Sequence, residues 1–271
     1  MASQDTVYTL HYFPFSLYSI MARFGFEIAA SLGPETSPKY QLKLVNLHED
    51  EEVSEAYLTE VNSKGQVPAL TSPSLPAPIT DSRDISEWLC HQQPLLVPSE
   101  HRQTIERLID ALYSFHAMAV SVPEQDRIHG VPNTAAAMLE RSDISEKHRR
   151  ALEMKSVFHD TNHCRTLEPD NIEQAEALCR AFTSSLEEIL TAGERSESQR
   201  WLLDGPTIID AHAVPMISRL LERERTDLVP ASVAAYAKGV MKSKEWQRTT
   251  HGRGTVFIGS RYGHVRDLQP L

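Results

Sequence analysis

The sequence predicts two domains of different class, a small α/β domain with a mixed sheet over residues 1–91 and an all-helical domain over residues 99–271. Strand-like and helix-like segments alternate in the first part of the chain, whereas only helical periodicity is found after Ser99. Between the two parts, Pro94 and Pro98 mark a change of composition that is typical of a linker.

Composition narrows the class of protein. The chain has 271 residues, 41% of them hydrophobic, and a formal net charge of −10 with both signs mixed. The acidic balance argues against a nucleic-acid-binding protein, and no apolar stretch reaches the ~20 residues of a membrane span. Cys90, Cys164 and Cys179 are too scattered for a disulfide framework. Since the first residues also lack the basic and apolar regions of a signal peptide, we expect a cytoplasmic protein without nucleic-acid or membrane partners.

The first half of the α/β domain is predicted as strand, helix and strand. Residues 7–13 are rich in aromatic and β-branched residues, as strands are, and Pro14 ends this strand. Residues 16–30 have apolar side chains at helical spacing, and Gly33-Pro34 ends the helix. Residues 40–47 alternate apolar and polar side chains, which is typical of a half-buried strand.

The second half of this domain consists of shorter elements. A short helix ends near Val61, and residues 62–65 have turn chemistry. Residues 67–70 form a short apolar strand, a proline-rich loop with a further short strand follows, and a helix covers residues 81–89. The predicted order is therefore β-α-β-(α)-β-β-α.

Helices are predicted throughout the second domain. An apolar stripe from Ile105 to Phe115 indicates the first helix. Three further clear helices are predicted over residues 171–190, 207–221 and 232–246. Residues 123–168, which we call the insertion, are polar and irregular, with weaker helical patterns at 134–140 and 145–160. A connection of this length is typical of a functional lid or a disordered loop.

The apolar segment Gln66-Val67-Pro68-Ala69-Leu70 contains a proline, which cannot donate to a strand ladder. One interpretation is a cis Val67–Pro68 bond at the mouth of an edge strand. The Val67 amide and carbonyl would then be free to pair with an extended peptide. The other interpretation is a proline that simply begins a strand.

Two helix starts carry residues that could hold an anion. Asp81 and Ser82 begin the helix over 81–89, where free amides and the helix dipole attract a carboxylate, and Asp81 and Asp84 could instead meet an α-amino group. Ser16 lies between the first strand and the first helix, where a hydroxyl near free amides would lower the pKa of a facing thiol. Ordinary helix caps explain the same residues.

In type and order, these features resemble the glutathione transferase family. Residues 61–70 and 79–89 are similar to the family's Asn-Pro-x-Gly-x-Val-Pro-x-Leu and Glu-Ser-x-x-Ile-x-x-Tyr-Leu segments. Residues 201–211 are similar to its Leu-x-Gly-x-x-x-Ser/Thr-x-Ala-Asp motif, with Thr207 and Asp210 spaced as a capping box. The resemblance covers about residues 7–91 and 169–250. It implies the glutathione transferase fold, a thioredoxin-like N-terminal domain followed by an all-helical C-terminal domain.

The resemblance implies that the first domain binds glutathione. Val67 would bind the cysteinyl backbone before a cis Pro68. The γ-glutamyl end would lie at Asp81 and Ser82. The glycyl carboxylate or the peptide backbone would lie near Lys64 and Gln66. The implied binding residues are therefore Lys64, Gln66, Val67, Pro68, Asp81 and Ser82.

Ser16 is the implied catalytic residue, because it stands seven residues before Arg23, as in the family's serine- and cysteine-type classes. The sequence departs from that pattern at Met21, where a second arginine is usual. Alternatives therefore remain, including a site made only of backbone amides and the helix dipole. The alternative side chains are Tyr12, Tyr18 and Ser19.

The resemblance further implies that the first long helix of the second domain lines the electrophile pocket. Tyr113, His116 and Val120 lie off its apolar stripe and are predicted to line the pocket, together with Tyr12 and Tyr18. Solvent exposure or packing against the insertion would explain the first three equally well. We expect the insertion to lie over the cleft, where it would suit a large, unusual substrate.

The implied activity is addition of the glutathione thiolate to a small hydrophobic electrophile. The product is a conjugate or, after bond rotation and loss of glutathione from a polarised alkene, a cis–trans isomer. Fungal family members of natural-product pathways are the most similar, and a homodimer is implied. The alternative is a non-catalytic binding or regulatory protein of the same fold. A reductase is disfavoured because position 16 is serine.

A metal site is not predicted. His159 and His163 have the i, i+4 spacing of zinc ligands on a helix, with Cys164 adjacent. No further ligand pair accompanies them, and structural zinc usually takes four ligands.

Overall fold

The computed structural model describes residues 6–193 and 199–270. Its N-terminal domain is built on a three-stranded mixed sheet, in which the central β1 runs parallel to β2 and antiparallel to β3. The register places Val7 opposite Lys39 and Leu10 opposite Leu70. The strands are β1 (Val7–Tyr12), β2 (Lys39–Leu44) and β3 (Ala69–Thr71).

Three helices accompany the sheet: α1 (Leu17–Leu32), α2 (Glu55–Glu60) and α3 (Ser82–Gln92). The prediction of a further strand after β3 is wrong. In the described part of this loop, a single antiparallel bridge joins Leu70 and Ile79. The three prolines before Ile79 lack the N–H groups that would extend this bridge into a ladder.

The C-terminal domain is helical throughout its described residues. The prediction of one helix over 232–246 is wrong, because the helix ends at Val240 and a new one begins after Ser243, whose hydroxyl accepts from the amide of Trp246. The helices are α4 (Arg102–Tyr113), α5 (Ala117–Ser121), α6 (Glu124–Arg127), α7 (Thr134–Leu139), α8 (Glu146–Asn162), α9 (Pro169–Thr191), α10 (Ile208–Glu222), α11 (Ala231–Val240), α12 (Lys244–Thr250) and α13 (Gly259–Tyr262).

The core joins the two domains through α1 and α10. Gly25 of α1 faces Ile208 and Leu89, and a Cβ there would lie 3.4 Å from side-chain atoms of both, at ordinary van der Waals contact. The start of α10 is fixed by the predicted capping box of Thr207 and Asp210, which is confirmed. No helix in the described residues is long and apolar enough to span a membrane.

The insertion folds into helices and packs on the N-terminal domain. α7 and α8 contact each other, and α8 also contacts α2. Ala135 and Leu152 of the insertion form a buried apolar cluster with Val53 and Leu58 of the N-terminal domain. This contact places the C-terminal end of α8 beside residues 64–66, which the sequence analysis assigned to glutathione.

Candidate functional site

Ser16 caps the N-terminus of α1 in extended backbone geometry. Its Oγ accepts a hydrogen bond from the amide of Ser19 at 3.3 Å. A hydroxyl that accepts still carries its own proton, so Ser16 can donate to an anion. The positive end of the helix dipole lies at the same point. The preceding carbonyl, that of Phe15, is held by the guanidinium of Arg219 at 2.8 Å.

The three alternative hydroxyls are less accessible. Tyr12 and Ser19 are 0% exposed, and the Tyr12 ring lies 4.7 Å from the guanidinium carbon of Arg23. Burial raises the pKa of Tyr12 and of Tyr18, and the Tyr18 hydroxyl is hydrogen-bonded to the backbone of Ala117. Ser16, which is half-buried, is therefore the best placed of the four to meet a thiolate.

The peptide bond between Val67 and Pro68 is cis. Among the described residues, neither the amide nor the carbonyl of Val67 has a hydrogen-bond partner. The carbonyl before them, that of Gln66, is held by the Tyr57 hydroxyl at 2.7 Å and by the Asn62 side-chain amide at 2.8 Å. The loop is thus fixed while one backbone donor and one acceptor remain for an extended peptide.

The start of α3 presents a carboxylate and a hydroxyl. Asp81 caps the helix, with Oδ1 accepting from the amide of Arg83 at 2.8 Å, and its second oxygen has no partner in the described residues. Ser82 is 4% exposed, and its hydroxyl lies 2.7 Å from that of Tyr113. The carboxylate suits an α-amino group, and the free amides of the helix start suit a carboxylate.

Tyr113 belongs to a buried polar chain. Its hydroxyl lies 3.1 Å from Nδ1 of His212, whose Nε2 lies 2.9 Å from the hydroxyl of Ser86. Burial raises the pKa of Tyr113 and lowers that of His212 to about 3, so both are neutral. Tyr113 therefore acts in this structure as the structural partner of Ser82. Val120 is 0% exposed in the apolar core and offers no surface to a ligand.

His116 contacts His163 of the insertion and, through it, Gln66 of the N-terminal domain. Its Nε2 lies 3.1 Å from Nδ1 of His163, and Nε2 of His163 lies 3.0 Å from the side-chain nitrogen of Gln66. Sequence reasoning noted His163 only as a weak metal motif with His159. In the described chain, no group of three or more His, Cys, Asp or Glu side chains could hold a metal ion. The contact between His163 and Gln66 spans 97 residues, so no local pattern could have indicated it.

Two of the cavities outside the predicted glutathione site lie beside helices of the C-terminal domain. A groove of about 560 Å³ between α3 and α4 contains none of the predicted site residues; Arg83, Glu87 and Asp110 are among its lining. A smaller cavity of about 380 Å³ lies between α5, the end of α8 and the start of α9. His116 lines it together with Phe115, so this histidine faces both the cavity and His163.

Comparison with known proteins identifies the fold. Residues 10–99 match the sequence model described as "Glutathione S-transferase, N-terminal domain". No curated protein gave a match. Among solved structures, a bacterial zeta-class glutathione S-transferase, maleyl pyruvate isomerase in its holo form, is 20% identical, with a TM-score of 0.53 over 89% of this chain and 95% of that one.

Two further solved structures have a fold similar to that of this chain. Glutathione transferase F7 from Populus trichocarpa is 15% identical, with a TM-score of 0.58 over 92% of this chain and 100% of that one. Ure2p in complex with glutathione is 15% identical, with a TM-score of 0.57 over 91% of this chain and 94% of that one. The predicted fold class is therefore confirmed: the chain has the glutathione transferase fold, with a thioredoxin-like N-terminal domain and a helical C-terminal domain.

Proposed function

We propose that this protein is a glutathione transferase that adds the glutathione thiolate to an electrophilic conjugated alkene. The observation that carries the proposal is the unpaired backbone of Val67, in a domain that matches the N-terminal domain of glutathione S-transferases. Glutathione is a substrate here, and its cysteinyl backbone would pair with Val67. Its γ-glutamyl end would lie at Asp81 and Ser82, and its glycyl end near Lys64 and Gln66.

Ser16 would stabilise the sulfur in its ionised form. A free thiol has a pKa of ~8.5, and only the thiolate is a strong nucleophile. One hydroxyl donor together with a helix N-terminus favours the anion, which raises the reactive fraction at neutral pH. Glutathione supplies the nucleophile, and the chain supplies the donor, the dipole and the orientation.

The substrate class and cellular setting form part of the same proposal. Addition to a polarised alkene ends in a conjugate or, if glutathione leaves after bond rotation, in a cis–trans isomer. The similarity to a maleyl pyruvate isomerase supports the second outcome. We further propose a cytoplasmic homodimer of fungal type from a natural-product pathway, such as the pseurotin pathway. Residues 1–91 would bind glutathione, and residues 99–271 would bind the electrophile, beside His116 and the insertion.

A non-catalytic glutathione-binding or regulatory protein is the alternative, because the Ser16 hydroxyl already serves as an ordinary helix cap. Calorimetry with reduced glutathione tests binding, and incubation with a panel of conjugated alkenes, read by mass and isomer composition, tests catalysis. An enzyme accelerates addition or isomerisation, whereas the alternative protein binds glutathione without either effect. Absence of binding heat would refute both.

The Ser16→Ala variant tests the catalytic role. We expect kcat/KM to fall about 10- to 100-fold, because a donor to the developing thiolate is lost. The matched control is Ser54→Ala, which removes the equivalent cap of α2. Both variants lose about 1 kcal/mol of stability, but the control keeps its activity. Unchanged turnover in Ser16→Ala would remove Ser16 from the mechanism.

A further inference from the structure

We propose that the insertion holds the glutathione-binding loop, residues 64–68, in its binding conformation, and that His163 is the positioning residue. This inference rests on the proposed function. It assigns the insertion a role within the molecule: the insertion sets the shape of the site that receives the tripeptide, and it acts through Gln66.

Three successive residues of the loop are each contacted by one residue of the insertion. Lys64 Nζ lies 5.9 Å from the centre of the Phe158 ring. Gly65, at φ +55°, packs so closely that an added Cβ would lie 3.1 Å from Cε of Lys155. The Gln66 side-chain nitrogen lies 3.0 Å from Nε2 of His163. The insertion therefore follows the loop up to the residue before Val67.

The insertion is itself anchored to the N-terminal domain. Leu152 is 0% exposed in the cluster with Val53 and Leu58. At the start of α8, Nε2 of His148 lies 2.8 Å from the carbonyl oxygen of Val53. Lys155, in the middle of α8, is 8% exposed. Because α8 is docked along its length, the residue that caps its C-terminal end, His163, is placed by a rigid element.

The hydrogen bonds at His163 have a defined direction. The Gln66 amide donates to Nε2, so the proton of the neutral His163 ring lies on Nδ1 and is donated to Nε2 of His116. Burial keeps His163 neutral by lowering its pKa to about 4. His116 then carries its proton on Nδ1, which is buried without a partner in the described residues. The hydrogen bonds thus run from Gln66 through His163 to His116, and they connect the loop to the C-terminal domain.

The loop is consequently held from two sides. The Gln66 carbonyl is fixed by Tyr57 and Asn62 of the N-terminal domain, whereas its side chain is fixed by His163. Without His163, the domain would still fold, but the loop would have to be ordered when glutathione binds. That ordering weakens binding and leaves the chemistry of the bound complex unchanged.

The test compares His163→Ala with His148→Ala. Each variant removes one hydrogen bond between the insertion and the N-terminal domain, but only His163 reaches the loop. We expect the glutathione Kd and KM of His163→Ala to rise about fivefold, the effect of one neutral hydrogen bond, with kcat at saturating glutathione unchanged. His148→Ala should stay within twofold of the unaltered protein, and His163→Gln, whose oxygen can accept from Gln66, should restore binding.

A Gln66→Ala background makes the test specific. There, His163→Ala should have no further effect on glutathione affinity, because the residue it positions is absent. Equal losses in His163→Ala and His148→Ala, or a full effect of His163→Ala in the Gln66→Ala background, would overturn the proposal. Either result would show that the insertion stabilises the N-terminal domain in general and does not position the loop through His163.

Amide hydrogen exchange without ligand separates this proposal from the proposed function. The amides of Lys64 and Gly65, which both donate to Asn62, should exchange faster in His163→Ala than in His148→Ala. Unchanged exchange would refute the positioning role even if glutathione binds. If exchange changes but the unaltered protein gives no binding heat with glutathione, the proposed function fails and the contact has no bearing on glutathione.

Discussion

Two of the regions in which the C-terminal domain contacts the N-terminal domain are built differently. Around α10, α4 and α3 the contact is a continuous apolar core with a buried polar chain that runs from Ser82 through Tyr113 and His212 to Ser86. At the insertion, the apolar part is a small cluster around Val53, and polar contacts to the loop and to α2 surround it.

The two regions also differ in how well their buried polar atoms are satisfied. Each member of the core chain has a partner within hydrogen-bond distance. At the insertion, Nδ1 of His116 and Oε2 of Glu52 are buried without a partner in the described residues. Unsatisfied buried groups destabilise the arrangement that buries them. The core contact should therefore open only on global unfolding, whereas the insertion should detach at a lower free energy.

The largest effect is expected at Asp210 on the core side. This carboxylate is 0% exposed and accepts from the amides of Leu202 and Thr207, from the Thr207 hydroxyl and from the Tyr236 hydroxyl, at 2.6–3.0 Å. Asp210→Ala should lower the free energy of unfolding by about 3–5 kcal/mol, because these buried donors lose their acceptor. Chemical denaturation measures the change.

Asp204→Ala is the matched control, since Asp204 lies in the same segment with a side chain that is 86% exposed and paired with His101. Its loss should change the free energy of unfolding by less than about 1 kcal/mol. Similar losses in the two variants would contradict the view that buried, satisfied polar groups distinguish the core side.

The second effect is a pH-dependent gain in the free energy of unfolding, which we expect on substitution of Glu52 at the insertion contact. Burial raises its pKa to about 7, and Asp50 and Glu51 add to the rise while Lys155 opposes it. A raised carboxyl pKa stabilises the fold below the unfolded value of ~4.3, and this contribution is lost as pH rises through about 7. Glu52→Gln should therefore stabilise the protein by about 1–2 kcal/mol at pH 8, after allowance for residual solvent contact, and by nothing near pH 4.

Denaturant titrations at pH 4, 6 and 8 measure this gain. The control is Glu60→Gln, which alters an exposed carboxylate at the end of α2, the helix that follows Glu52, and should show little change at any of these pH values. A Glu52→Gln variant that is destabilised at pH 8 would show that the ionised carboxylate stabilises the contact with Lys155.

The contrast between the core contact and the insertion contact also explains which parts of the fold could be predicted from the sequence. Apolar periodicity predicted α1, α4, α9 and α10 closely, because these helices bury their stripes in the main core. The weak patterns at 134–140 and 145–160 correctly indicated α7 and α8. Their docking on α2 could not be predicted, since a few apolar residues and polar contacts across some 100 positions decide it.

In the candidate site, too, only local features could be predicted from the sequence. Local signals indicated the cap at Ser16, the cap at Asp81 and the unusual Pro68, each of which the structure displays as a local feature. The contact of Ser82 with Tyr113 and that of Gln66 with His163 depend on tertiary packing. Sequence reasoning therefore indicated these local features of the N-terminal domain and missed the tertiary contacts that hold them.

The last expected effect, similar in size to that at Glu52, is that of Tyr113→Phe, which breaks the buried polar chain of the core contact and keeps the volume of the side chain. The Ser82 hydroxyl and Nδ1 of His212 would both lose a partner. Since net losses of this kind are about 0.5–1.5 kcal/mol for each hydrogen bond, we expect a fall of about 1–2 kcal/mol in the free energy of unfolding. Tyr8→Phe is the control, because the Tyr8 hydroxyl is only 3.5 Å from that of Ser74, at the limit of a hydrogen bond.

Hydrogen exchange then tells whether the two regions differ as proposed. Tyr113→Phe should lower protection in α3 and α10 and leave α7 and α8 unchanged, because it lowers the free energy of global unfolding but not the free energy at which the insertion detaches. His148→Ala should lower protection in α7, α8 and α10 together, because the hydrogen bond that it removes exists only while the insertion is docked, so both detachment and global unfolding become easier. If Tyr113→Phe also deprotects α7 and α8, the insertion and the core unfold as one cooperative unit. The unsatisfied groups at the insertion would then have no separate thermodynamic consequence.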